Sequence, residues 1–235
     1  MKKHTLTFLL LLVFAIGGLA QTRTYNMPHY DAKRFHFGYL IGYNFANFAI
    51  KPQTNLNNYD SLMEIETSGM SGFDIGIVVN LRLWEYLDFR FVPHISLIDR
   101  KVDYAIGNGN IQEKIWVSKN IESVYLNLPL VFKLKSSRMN NFRFYSVFGA
   151  QYGFDMATRS KKRNPVNDIM LKLKASDLQV IAGVGTDFYL ESFKLALEFR
   201  MVYGVINILK PEDNFFANSV DRLSTKTFQF SILFE

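Results

Sequence analysis

From residue 34 onward the chain alternates large apolar residues with small or polar ones. In Arg34–Ala46, Phe35, Phe37, Tyr39, Ile41, Tyr43 and Phe45 share one parity. His36, Gly38, Leu40, Gly42, Asn44 and Ala46 share the other. Side chains alternate across a strand, so this segment reads as a strand with one apolar face. A run of about a dozen residues exceeds the usual 5–6 of a globular strand and suits a tilted membrane strand of about 9–11.

The same pattern returns in Gly72–Leu83, Leu87–Leu97, Val124–Leu134, Phe142–Phe154, Leu178–Leu190, Leu195–Val205 and Phe228–Phe234, which predicts eight strands. Long connections near 48–71, 98–123, 155–177 and 206–226 alternate with short ones at Trp84–Tyr86, Lys135–Asn141 and Glu191–Lys194. Short turns at one end and long loops at the other mark an up-and-down antiparallel transmembrane β-barrel of the outer membrane. Closure follows because lipid cannot satisfy an open sheet edge. An even strand count puts both termini on the short-turn side, the periplasm. Pro93 and Pro129 fall inside predicted strands. Each removes a ladder donor and predicts a bulge or an early strand end.

The first twenty residues differ in kind. Lys2, Lys3 and His4 precede the apolar run Leu6–Leu19, and small residues lead to Ala20. This is the layout of a signal peptide, with cleavage expected between Ala20 and Gln21. The chain therefore divides into a signal peptide (1–20), a periplasmic lead (21–33) and the barrel (34–235), and the expected location is the outer membrane.

Composition narrows the function. Mean hydropathy is only +0.01, which excludes a bundle of helices with about 20 apolar residues each. Cysteine is absent, so there is neither a disulfide framework nor a thiolate metal site. The leader holds two lysines and no acid, so its removal takes the formal charge from +6 to +4. That modest excess does not point to nucleic acid.

The small face carries Asp74, Arg82, Asp88, Arg90, Lys133, Arg143, Asp187, Glu198 and Arg200, expected to point inward. A barrel of about eight strands is just wide enough to be filled by its own side chains. Mixed acids and bases there most simply pair and plug it. A polar conduit or ligand site is the alternative, although eight strands are too few for a porin-like channel. Arg159, Lys161, Lys162 and Arg163 form a basic external loop, suited to lipopolysaccharide phosphates or to an acidic partner. No metal-ligand spacing and no nucleophile motif occurs, so no catalytic residue, metal site or cofactor is assigned.

Several stretches resemble the PorT family, outer-membrane barrels of the type IX secretion system of Bacteroidetes. They are Met27–Lys33 (MPHYDAK), His36–Asn44 (HFGYLIGYN), Tyr125–Lys133 (YLNLPLVFK), Arg143–Asp155 (RFYSVFGAQYGFD) and Asp187–Lys194 (DFYLESFK). The resemblance implies a non-catalytic accessory or assembly role in exporting cargo proteins, and so in surface proteases, adhesins or gliding. It also implies other secretion-system proteins as partners. Such a barrel is too narrow to pass folded cargo and would act as a scaffold. A stand-alone barrel with a ligand-binding, adhesion or structural role is the other reading, and a barrel enzyme a third.

Overall fold

In a computed structural model, residues 25–52, 62–107, 114–156, 173–210 and 220–235 are described. The expected cleavage site at Ala20 and Gln21 and the basic loop Arg159, Lys161, Lys162 and Arg163 lie outside the described residues.

Among the described residues nine strands follow a short 3₁₀ turn at Tyr30–Ala32: β1 (Phe35–Pro52), β2 (Leu62–Arg82), β3 (Leu87–Phe91), β4 (His94–Gly107), β5 (Lys114–Lys135), β6 (Phe142–Asp155), β7 (Ser176–Tyr189), β8 (Lys194–Gly204) and β9 (Val220–Phe234). All pairings are antiparallel; they join sequence neighbours except β2 with β4 and β3 with β5, and β1 also pairs with β9, which closes the sheet. β3 and β4 occupy one place in this ring. Phe91 faces Val79 and Leu130, and His94 faces Gly76 and Asn127, at an unchanged offset. The architecture is thus an eight-stranded up-and-down β-barrel.

The two prolines explain the gap between β3 and β4. The Pro93 carbonyl accepts the Ile77 N–H at 3.0 Å, so its missing N–H is a donor lost to β2. Pro129 remains within β5, and its carbonyl accepts the Val92 N–H at 3.4 Å, across the same gap. Both missing donors therefore weaken one point of the wall, and the register survives because the neighbouring rungs are intact.

The strands are longer than the alternation predicts. Regions expected as loops, 48–71 and 98–123, are mostly strand: β2 has 21 residues and β5 has 22. At ~3.4 Å per residue and a tilt near 40°, the ten or so residues beyond a membrane span carry these hairpins about 25 Å past the bilayer. Their outward positions need no longer be apolar there.

The faces divide cleanly. Phe35, Phe37, Tyr39, Ile41, Tyr43 and Phe45 are exposed, while His36, Leu40, Asn44 and Ala46 are buried inside. The outer wall carries Phe73, Ile75 and Ile77 on β2 and Val180 and Val184 on β7, all exposed. Trp84, Tyr86, Phe144, Phe193 and Phe234 lie toward the short-turn end, and Tyr43, Phe73, Tyr152 and Tyr203 toward the other, the two aromatic girdles of an outer-membrane barrel.

Candidate functional site

Inward parity brings polar side chains into stacked layers along the lumen. At the short-turn end lies an ionic layer. Glu198 accepts from Arg90 at 3.1 Å, from the Tyr145 hydroxyl at 2.7 Å, and from Arg200 Nε. Arg90 also donates to Glu235 at 2.8 Å, and Lys194 to the same carboxylate at 2.7 Å. Lys133 donates to both oxygens of Asp187, at 2.8 and 2.7 Å, with its ammonium 3.7 Å from the Tyr145 ring centre. Lys135 pairs with Asp88 at 2.5 Å, and Asn80 bridges Asp88 and Arg90. Arg90, Lys133, Glu198 and Arg200 are each 0 % exposed. Buried charges require such pairing. Gly185 makes room for the hub, because a Cβ there would overlap the Tyr145 ring.

The next layer is held by amides. Asp74 accepts from Asn44 at 2.8 Å and from Gln229 at 3.2 Å. His94 Nδ1 meets the Val92 carbonyl at 2.9 Å and must carry the proton there. Its Nε2 then accepts from Asn127 and Gln229. Farther along, Asp177 accepts from Gln179 at 2.6 Å and Thr225 at 2.5 Å, and Gln151 donates to Gln179. Arg100 lies between the rings of Phe48 and Tyr125, at 4.9 and 5.3 Å from their centres. The cavity beside it measures about 10 Å³, room for about one water. Phe48, Leu173, Ile208, Leu209, Val220 and Leu223 close the long-hairpin end as an apolar cluster.

The other end is covered by the lead. Tyr30 is buried, stacked on His36 at 4.1 Å and edge-on to Tyr189 at 5.8 Å, and its hydroxyl donates to Glu235 at 3.0 Å. Asp31 receives both terminal nitrogens of Arg143, at 3.1 and 3.0 Å. Arg138 lies between the Tyr25 and Tyr189 rings, at 3.9 and 3.6 Å, and donates to the carbonyls of Asn26 and Met27. Asn26 is anchored through Asn141 and the Tyr189 carbonyl. Met27 has a φ of 50°, the tight reversal that lays the lead across the mouth. Burial pushes the Tyr30 hydroxyl up, reinforced by Glu235. Burial alone would raise the Asp31 and Glu235 carboxyls. Arg143 overrides it for Asp31, and Lys194 with Arg90 for Glu235, holding both below the ordinary range.

The nine interior candidates thus have different places. Asp88, Arg90, Lys133, Asp187, Glu198 and Arg200 meet in the ionic layer. Asp74 belongs to the amide layer, and Arg143 holds the lead. Arg82 stands apart: it ends β2, half-buried at the rim, and its described bond is a backbone N–H to the Arg34 carbonyl. Sequence reasoning missed Glu235, Lys194 and Lys135, although parity with Ser231, Glu198 and Lys133 marks them as inward. Tyr30 and Asp31 lack any periodic signal. Among the described residues no cluster of His, Asp and Glu could hold a metal ion.

A family profile described as "Outer membrane protein beta-barrel domain" matches residues 19–210. No curated protein matches the chain. Solved structures similar to it include the outer membrane protein OprG from Pseudomonas aeruginosa, with 13% identity and a TM-score of 0.46 over 86% of this chain and 95% of that one. Neisserial surface protein A shows 9% identity and 0.41 over 86% and 98%. Ail, the attachment invasion locus protein of Yersinia pestis, solved with the heparin analogue sucrose octasulfate, shows 10% identity and 0.34 over 86% and 99%.

Proposed function

This chain belongs to the outer membrane protein β-barrel domain family, and from its filled lumen and its resemblance to the PorT family we propose that it is a non-catalytic scaffold of the type IX secretion machinery. The observation that carries the scaffold role is the plug. Among the described residues the interior is filled by buried charged, amide and apolar side chains, the cavity beside Arg100 has room for about one water, and side chains lie across both ends. The described residues leave no path for cargo or a small solute, so in this reading the protein acts through its ends and outer wall.

The export context rests on the resemblance. Its stretches converge in space: Met27–Lys33 covers the mouth, Arg143 grips Asp31, Lys133 pairs with Asp187, and Lys194 opens β8 beneath Glu235. In this reading the short turns face the periplasm, and the long hairpins and the Arg159–Arg163 loop face lipopolysaccharide and the surface. The partners are other proteins of the export assembly.

The test is the secreted proteome of a deletion strain beside its parent. Loss of many unrelated cargoes from the medium and surface is expected. Unchanged secretion would remove the export role and leave a stand-alone barrel with a structural, adhesive or ligand-binding role.

A further inference from the structure

We propose that the short-turn mouth is a peptide-recognition pocket for an aromatic residue followed by a carboxylate, filled in the resting protein by its own Tyr30-Asp31 and open to the same pair on a periplasmic partner. The periplasmic placement rests on the orientation proposed above; the pocket does not.

Three observations carry it. First, the described lead, residues 25–33, adds no strand to the ring. β1 starts at Phe35 and is already paired with β2 and β9. The lead is held by side chains and one tight turn, so the barrel closes without it.

Second, the receiving groups all belong to the barrel. Glu235, which accepts the Tyr30 hydroxyl, is held by Arg90 and Lys194. Lys194 also stands 4.7 Å from the Tyr30 ring centre. Tyr189 ends β7, Arg143 lies in β6, and Arg138 and Asn141 belong to the β5–β6 turn, where Asn140 has a φ of 58°. Glu235 is thus set before an occupant arrives and Arg138 is braced by the Asn140 carbonyl, which lowers the freedom lost on binding; Arg143 donates its two hydrogen bonds to the acid itself.

Third, the occupant matches the walls in chemistry. The flat Tyr30 ring fills the space between His36 and Tyr189, and its hydroxyl reaches a buried carboxylate. Next to it, Asp31 fits the Arg143 fork in the two-point geometry that favours arginine–carboxylate recognition. Arg138 lies 4.0 Å from the same carboxylate. With Asp31 gone, Arg143 and Arg138 face each other across an open mouth, a cationic and aromatic site that selects an acid beside a ring.

The cis lead competes by tethering. Short flexible tethers give effective concentrations on the order of millimolar, so a free peptide binds the intact protein poorly and the undocked protein well. The test uses the full chain in detergent micelles and a fluorescein-labelled peptide of residues 24–33. Binding is read by anisotropy to the wild type and to a Tyr30→Ala/Asp31→Asn variant. Unheated electrophoretic mobility verifies that the variant barrel is folded. At least tenfold tighter binding to the variant than to the wild type is expected. Binding should fall at least tenfold when the peptide carries Asp31→Asn, or when Arg143→Gln is added to the folded variant. Equal binding to wild type and variant, indifference to the acid, or no binding to a folded variant would overturn the proposal. Should the double variant fail to fold, Asp31→Asn alone serves as receptor under the same criteria. The assay is independent of secretion, so peptide binding with normal secretion would fault only the export role.

Discussion

Glu198→Gln is the sharpest probe of whether the lumen is dry. The substitution keeps shape and removes one charge from a carboxylate that is fully buried and accepts from Arg90, Tyr145 and Arg200. Arg90 keeps Glu235 at 2.8 Å. Arg200 does not fare as well, because its Nη1 and Nη2 make no hydrogen bond among the described residues and Glu198 holds its Nε. Glutamine would leave it a buried cation without its counter-charge. Breaking a buried pair from one side costs about 3–5 kcal/mol, and Tyr145 loses a charge-assisted acceptor as well. Against a total stability on the order of 5–15 kcal/mol, that is a large fraction. Urea unfolding in micelles, followed by tryptophan fluorescence and by the mobility of unheated samples, should show a loss of about 3 kcal/mol. Adding Arg200→Met should recover most of it, because apolar replacement of a buried pair is often neutral or better. A loss below about 1 kcal/mol is the value for a solvated pair. It would mean that water reaches Glu198, refuting the plug and restoring a polar conduit.

Three further outcomes follow from particular contacts. Asp31 has its carboxyl held below the ordinary range, burial being outweighed by Arg143. A depressed carboxylate stabilises docking above its unfolded value, near pH 4, and that stabilisation is lost as pH falls through the folded value. NMR signals of residues 26–33 should therefore stay in the docked state from neutral pH to about pH 5, shift below about pH 4, and be undocked throughout in Asp31→Asn. Ile75→Lys puts a charge on the lipid face at a position 65 % exposed. It should cost ~2–4 kcal/mol in bilayers, whereas Met139→Lys in the β5–β6 turn should cost under about 1 kcal/mol, and equal costs would displace the membrane band. Gly185→Val drives a side chain into the Tyr145 ring and should lower stability by about 1–3 kcal/mol, measured from the same unfolding midpoint.

The barrel was legible because lipid-facing strands must repeat one rule. β1 shows it from Phe35 to Phe45, and Pro93 did not disturb the strand count because register runs through it. Strand ends were less legible, and for one reason. Past Leu97 the outward positions become Asp99 and Lys101, so apolar alternation stops while the ladder continues to Gly107. The fully buried Arg100 was lost with it. Glu235 continues the inward parity of Gln229, Ser231 and Leu233, yet it lies one residue past the last predicted strand, which ends at Phe234. Tyr30 and Asp31 could not be found by period, since one turn held by side chains has none. The pairing of charges was legible in kind, but the partners were not, because Lys133 and Asp187, or Arg90 and Glu198, lie far apart in sequence and meet only through closure.

The two plugs differ in a way that decides where this molecule can exchange contacts. A soluble barrel hides apolar groups inside; this one faces lipid with them and must fill its interior with polar groups. In a lumen this narrow those groups leave room for about one water beside Arg100, so the buried charges lean on protein groups, carboxylates for Arg90 and Lys133 and aromatic rings for Arg100. Pairs of this kind resist rearrangement, because moving one member strands the other. The interior is therefore a poor place for a switch or a passage. At the long-hairpin end the apolar cluster joins residues of β1, β9 and the segments 173–175 and 205–210, pinned by backbone bonds from Lys174 to Ile208 and from Ile208 to Leu223. Opening it would break ladder-like bonds. At the short-turn end the closing group hangs from β1 with no ladder pairing, held by the Tyr25 and Tyr30 rings, one carboxylate and side-chain hydrogen bonds to Asn26 and Met27. That is the end where a contact made within the chain exchanges most readily for the same contact made by another protein.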